Sequence, residues 1–176
     1  MARRSAWLSA IVAVAAALTL ALPASASERE LYRASALESS ILAQMNAVRA
    51  RHGLGPLRLS KPLSDAARSH SQAMVTKGFF SHDSANGASF GTRVRKWYGM
   101  KGYRSWSAGE NLLWRSPDVD AAAAVQMWMD SPPHRANLLR GGWREVGLGA
   151  VHAFAAPGAF GGLEVTVVTA DFGTRT

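Results

Sequence analysis

The chain has no cysteine among its 176 residues, which excludes a disulfide-stapled scaffold and any thiol chemistry. It is poor in acids: 12 Asp and Glu stand against 20 Lys and Arg, for a formal net charge of +8. The basic residues are scattered and form no nucleic-acid motif. The charge points instead to a weak attraction for anionic envelope polymers or lipid surfaces. Beyond the N-terminus there is no second apolar run long enough to span a bilayer.

The N-terminus carries the one long hydrophobic run. Arg3 and Arg4 precede an almost wholly apolar stretch from Ala6 to Leu22, Pro23 breaks it, and Ala24-Ser25-Ala26 follows as an A-x-A cleavage site. Residues 1–26 therefore read as a secretory signal peptide, with Ser27 as the mature start and the protein secreted as an extracellular species. Arg-Arg-Ser-Ala-Trp-Leu lacks the usual aromatic spacing of the twin-arginine route. Loss of those two arginines, with no acid, takes the charge to +6. About 150 residues remain, enough for one self-sufficient domain.

Residues 27–36 are polar and read as a loosely held lead-in to a domain over 37–174. Leu37, Ile41, Leu42, Met45 and Val48 make a helical stripe that Gly53 and Pro56 end. A second helix is predicted from the N-cap Ser60, with Pro62 in its first turn, to Gly78. A turn-rich loop over 81–87 leads to a short helix carrying Phe90, Val94 and Trp97. A strand is expected between Trp106 and Trp114, then a helix starting at Ser116-Pro117-Asp118 and ending near Trp128. Pro132 to His134, after that helix, read as a loop. Strands at 145–153 and 163–172, joined by a glycine-rich hairpin loop at 156–162, complete an α+β order.

Gly87-Ala88-Ser89-Phe90-Gly91 matches the nucleophile-elbow pattern. That motif needs a buried strand before it, and here a polar loop precedes it, so Ser89 reads as a helix cap. His82, Glu110 and His134 are the set that chemistry singles out. Two imidazoles and a carboxylate suit an open three-ligand zinc site, or acid–base groups without a metal. Their spacing does not decide between these, nor against separate structural roles. His52 sits at a helix C-terminus, where a cation is favoured. His70 falls on an inward helical stripe and reads as a satisfied core residue, and His152 as an exposed strand position. Trp97, Trp106, Trp114, Trp128 and Trp143 suit core packing more than a ligand groove.

Four blocks taken together are more specific than any one. Phe79-Phe80-Ser81-His82, Ala108-Gly109-Glu110-Asn111, the run from Trp128 to Leu139 containing Ser131-Pro132-Pro133-His134-Arg135, and Glu145-Val146-Gly147-Leu148-Gly149 occur in the order and spacing of the CAP superfamily, or SCP domain. The chain resembles its bacterial secreted branch over roughly residues 37–173. The resemblance implies an α-β-α sandwich with helices flanking a small antiparallel sheet. It also implies a cleft in which many members set two histidines and two acids around a metal. His82 matches the first family histidine and Glu110 the acid of the Gly-Glu-Asn block. His134 belongs to the bacterial block, and Glu145 begins the strand before which many relatives place their second histidine. The implied metal site is thus His82, Glu110 and His134 with Glu145 as a stand-in, for Zn2+ or another divalent cation. The function expected is a monomeric binding module for a lipid, an envelope polymer or an extracellular protein. The alternative is a metal-dependent hydrolase or protease using the same three residues.

Overall fold

The computed structural model describes residues 25–176. The expected signal peptide, residues 1–26, lies outside them except for its last two positions. Helix α1 runs Ala26–Arg51, so the backbone of the expected lead-in, 27–36, is helical. The rest of the order is β1 (Arg58–Leu59), α2 (Lys61–Lys77), α3 (Phe90–Arg95), β2 (Trp106–Arg115), α4 (Ala121–Asp130), α5 (Pro132–Leu138), β3 (Glu145–Ala153) and β4 (Val165–Arg175).

The sheet order is β1-β3-β4-β2. The three long strands are antiparallel, as expected of the α+β class, while the two-residue β1 adds a parallel edge to β3. Side chains alternate between the faces because strand period is two. Val146, Leu148 and Ala150 of β3, with Val168, Ala170 and Phe172 of β4, pack against α1, α4 and α5 in one core. Val165 and Val167 face the opposite way, onto Met74 and Val75 of α2. Helices thus cover both faces of the sheet.

Helix α2 lies unusually close to β3. A Cβ built at Gly147 would sit 2.0 Å from the Leu63 carbonyl carbon, and one at Gly149 would sit 2.2 Å from the Arg68 nitrogen. The Glu-Val-Gly-Leu-Gly block is therefore a track on which a helix backbone rests, with the intervening Val146 and Leu148 filling the other core. Ser71 of α2 completes the contact, donating to the Gly149 carbonyl at 2.8 Å or pairing with Thr169 Oγ1 at 2.8 Å.

Two helix starts differ from expectation. Asp120, not Ser116, caps α4, its carboxylate accepting from the Ala123 amide at 2.8 Å. The expected loop from Pro132 to His134 is helical: Pro132 and Pro133 occupy the first turn of α5, where their missing N–H groups have no partner to lose. Ser60, Gly78 and Ser89 fall at helix ends as read, although the Ser60 side chain makes no capping bond. Ser89 Oγ accepts from the Thr92 amide, the cap role inferred for it. His152 is half-buried rather than exposed, against Thr166 and Glu164.

Candidate functional site

Strand β2 is an edge of the sheet, so groups from both faces reach around it. Glu110 and Asn111 are consecutive and therefore point to opposite faces. Glu110 meets the segment after α2, and Asn111 meets α5. Between these lies a cleft of about 410 Å³ whose lining includes His82, Phe90, Glu110, Asn111, His134 and Asn137.

On the α2–α3 side, Glu110 is buried and both its oxygens are engaged. Oε1 lies 2.8 Å from His82 Nδ1, and Oε2 accepts from the Arg93 guanidinium of α3. Arg93 also stands 3.5 Å from the fully buried Asp171, which faces Glu110 directly across the β2–β4 ladder. Neither Asp171 oxygen has a hydrogen-bond partner among the described residues. Burial, and then the Glu110 charge, push the Asp171 pKa well above the usual carboxylate range, with Arg93 opposing them.

The segment bearing His82 is fixed from below. His70, buried on α2, places Nε2 2.9 Å from the Ser81 carbonyl, the residue immediately before His82. It is the satisfied core residue expected from the sequence. Burial lowers its pKa first, so the neutral ring that donates to Ser81 is favoured.

On the α5 side, Asn111 Nδ2 donates to the His134 carbonyl at 2.9 Å, and its Oδ1 accepts from Asn137 Nδ2 at 3.0 Å. Trp143 Nε1 donates in turn to Asn137, 3.0 Å from its carbonyl and 3.1 Å from Oδ1. Gly109 leaves room for this chain, because a Cβ there would stand 2.7 Å from Asn137 Oδ1 and 2.8 Å from Trp143 Cζ2. The three residues of Gly109-Glu110-Asn111 thus divide the work, Gly109 giving clearance, Glu110 pairing ions and Asn111 anchoring α5.

The two imidazoles are driven apart. The hydrogen bond to Glu110 raises the His82 pKa, whereas burial, followed by the charge on His82, lowers that of His134. His82 is thereby biased towards the cation and His134 towards the neutral ring.

The three residues singled out by chemistry share one cleft, but the donor set does not fit a metal. Glu110 is engaged on both oxygens, Oε1 by His82 and Oε2 by Arg93, and a cation bound there would stand beside the Arg93 guanidinium, which repels it at close range. Among the described residues no group of three or more His, Cys, Asp or Glu side chains is arranged to hold a metal ion. Glu145 is absent from the cleft lining: its Oε2 accepts from the Tyr98 hydroxyl and lies 3.8 Å from Arg175 Nε. Of the tryptophans, Trp128 and Trp143 are fully buried and Trp97 is exposed. Sequence reasoning missed Arg93, Asp171 and Asn137. Asp171 did leave a signal, a lone acid inside the apolar run Val165 to Phe172.

Comparison with known proteins points one way. The CAP profile, that of the cysteine-rich secretory protein family, matches residues 42–169. An uncharacterized membrane protein of Bacillus subtilis, YlbC, is 34% identical over 112 residues, covering 64% of this chain and 31% of that protein. The uncharacterized protein YkwD of the same organism is 34% identical over 122 residues, covering 68% and 44%. The chain therefore spans less than half the length of either relative. Among solved structures, an extracellular protein containing an SCP domain from Bacillus anthracis superposes with a TM-score of 0.66 at 27% identity, over 86% of this chain and 44% of that one. An outer surface protein of Borrelia burgdorferi shares the fold, with a TM-score of 0.58 at 17% identity over 77% and 90% of the two chains.

Proposed function

The chain belongs to the CAP family of cysteine-rich secretory proteins, and from that premise we propose that it is a secreted binding module whose β2-edge cleft holds a polar segment of an envelope polymer or of an extracellular protein. One observation carries this reading. The cleft combines ligand-sized volume with a mixed wall of imidazole, carboxamide and carboxylate groups that the fold holds rigidly. Its lining sets imidazole and carboxamide groups beside the apolar Phe90 and Pro133, which suits a peptide or glycan offering donors, acceptors and apolar faces along its length. Export fits the apolar N-terminal run and the extracellular neighbour. No described helix is long and apolar enough to cross a membrane.

The metal-dependent hydrolase is the weaker alternative, because Glu110 is already bound to Arg93 and His82. The test is co-sedimentation of the purified protein with peptidoglycan sacculi, for wild type and for His134→Ala. Retention above a charge-matched control protein, lost in His134→Ala, supports the proposal. Equal retention of all three overturns it. So would tight zinc binding by calorimetry coupled to hydrolysis of casein that Glu110→Gln abolishes.

A further inference from the structure

Helix α3 borders two concavities. Phe90 and Arg93 serve the cleft, while other residues of the same segment open onto a separate groove of about 530 Å³, lined by Ser89, Gly91, Thr92, Arg95, Lys96 and Trp106. We propose that this groove binds a phosphate-bearing polymer, a polyol-phosphate chain of the kind that makes cell envelopes anionic. The inference is independent of the cleft reading and concerns a different surface.

Its lining carries cations and hydroxyls and no acid. Between Asp83 and Glu110 the chain contains no Asp or Glu at all, yet it contains Arg93, Arg95, Lys96, Lys101 and Arg104. Arg93 is taken up by Glu110 and Asp171; the other four are exposed. The segment's own residues thus supply no acid, Asp83 standing at its start with Oδ1 3.3 Å from the Phe90 amide, and the positive charge continues beyond the groove. Arg95 is also preorganised. Its guanidinium carbon lies 5.5 Å from the centroid of the Trp106 ring, a cation–π contact that holds the fork at the groove wall and lessens the ordering cost of binding.

The hydroxyls add direction. Ser89 Oγ and Thr92 Oγ1 are 3.0 Å apart, so one donates to the other and a single hydroxyl proton remains for an outside acceptor. Phosphodiester oxygens accept only, and Arg meets them with two parallel N–H groups. The concave wall of cations and hydroxyls takes a chain segment, while Trp97, Met100 and Tyr103, exposed on the same stretch of chain, are what a bilayer would meet, so a vesicle arm of the test separates the two.

Binding of poly(glycerol phosphate) to the purified protein, followed by fluorescence titration over a salt series, tests this. The charge-removing pair Arg95→Gln and Lys96→Gln is compared with Arg51→Gln and Lys77→Gln, which removes two exposed charges at the ends of α1 and α2. The expected result is a loss of about tenfold in affinity and a shallower salt dependence for the groove pair, against less than about threefold for the control pair. His134→Ala is expected to leave this affinity unchanged, which separates the groove from the cleft. Equal losses in both pairs, an equal loss in His134→Ala, absence of polymer binding, or binding to phosphatidylglycerol vesicles without polymer binding would each overturn the proposal.

Discussion

Glu110 and Asp171 are direct cross-strand partners on β2 and β4, two buried carboxylates that share the Arg93 guanidinium, with His82 as a second partner of Glu110. The arrangement makes folding depend on pH with an unusual sign. Asp171 has its pKa raised on folding from an ordinary 3.8, so the native state holds a proton that the unfolded chain gives up. Stability from this residue then falls as pH rises above about 4, instead of rising as for a salt-bridged acid.

Asp171→Asn removes that dependence. Urea midpoints measured from pH 4.5 to 7 are expected to fall less steeply with pH in the variant than in the wild type. Parallel pH profiles would contradict the buried-carboxylate assignment.

The His82–Glu110 bond acts in a different pH window. Its raised pKa stabilises the fold below the ordinary histidine range, and the contribution fades as pH rises through the folded-state value. In Glu110→Gln, an NMR titration should find the His82 pKa lowered, because the first-ranked cause, the bond to the carboxylate, is gone. An unchanged His82 titration would show that the pair does not form in solution.

Gly147→Ala or Gly149→Ala forces a Cβ into the backbone of α2 and should destabilise by about 3 kcal/mol or more. Gly55→Ala, where a Cβ meets nothing within 4 Å, should stay within about 0.5 kcal/mol. Thermal melts of the three variants provide the comparison.

Asn137→Ala unpairs Asn111 Oδ1 and removes one of the Trp143 indole contacts, which should cost about 1–3 kcal/mol. The Trp143 indole N–H resonance should move, and so should the backbone signals of His134, whose carbonyl Asn111 holds. A resonance pattern unchanged outside residue 137 would refute the amide chain.

Zinc is expected to bind wild-type protein no more tightly than it binds His82→Ala, since the described residues bring no three ligating side chains together and Arg93 stands beside Glu110. Calorimetric titration of both proteins decides this.

The legible parts of the fold are those with strong periodicity or punctuation: α2 between Ser60 and Gly78, and the late hairpin strands. The start of α4 reads too early in the sequence because Ser116-Pro117-Asp118 has the residue types of a helix start, while Asp120 is the residue whose carboxylate accepts from the Ala123 amide. Two successive prolines at 132 and 133 look like a breaker, since only position within the first turn makes them tolerable. The two-residue β1 has no pattern to read. In the site, residue chemistry and block order find His82, Glu110 and His134, and these do share a cleft. Arg93 and Asp171 escape such reading, because contacts between a helix and strands distant in sequence leave no local spacing. The bonds from Arg93 and His82 make Glu110 a counter-ion in this cleft.

The bond from His70 to the Ser81 carbonyl has a consequence for variation. It moors the main chain one residue ahead of His82, as a bollard holds a rope short of its free end. From Asp83 to Ala88 the rim can change length and composition while the moored residue stays put. The position of the main chain ahead of His82 is thus set by the helix beneath it and not by the rim that follows.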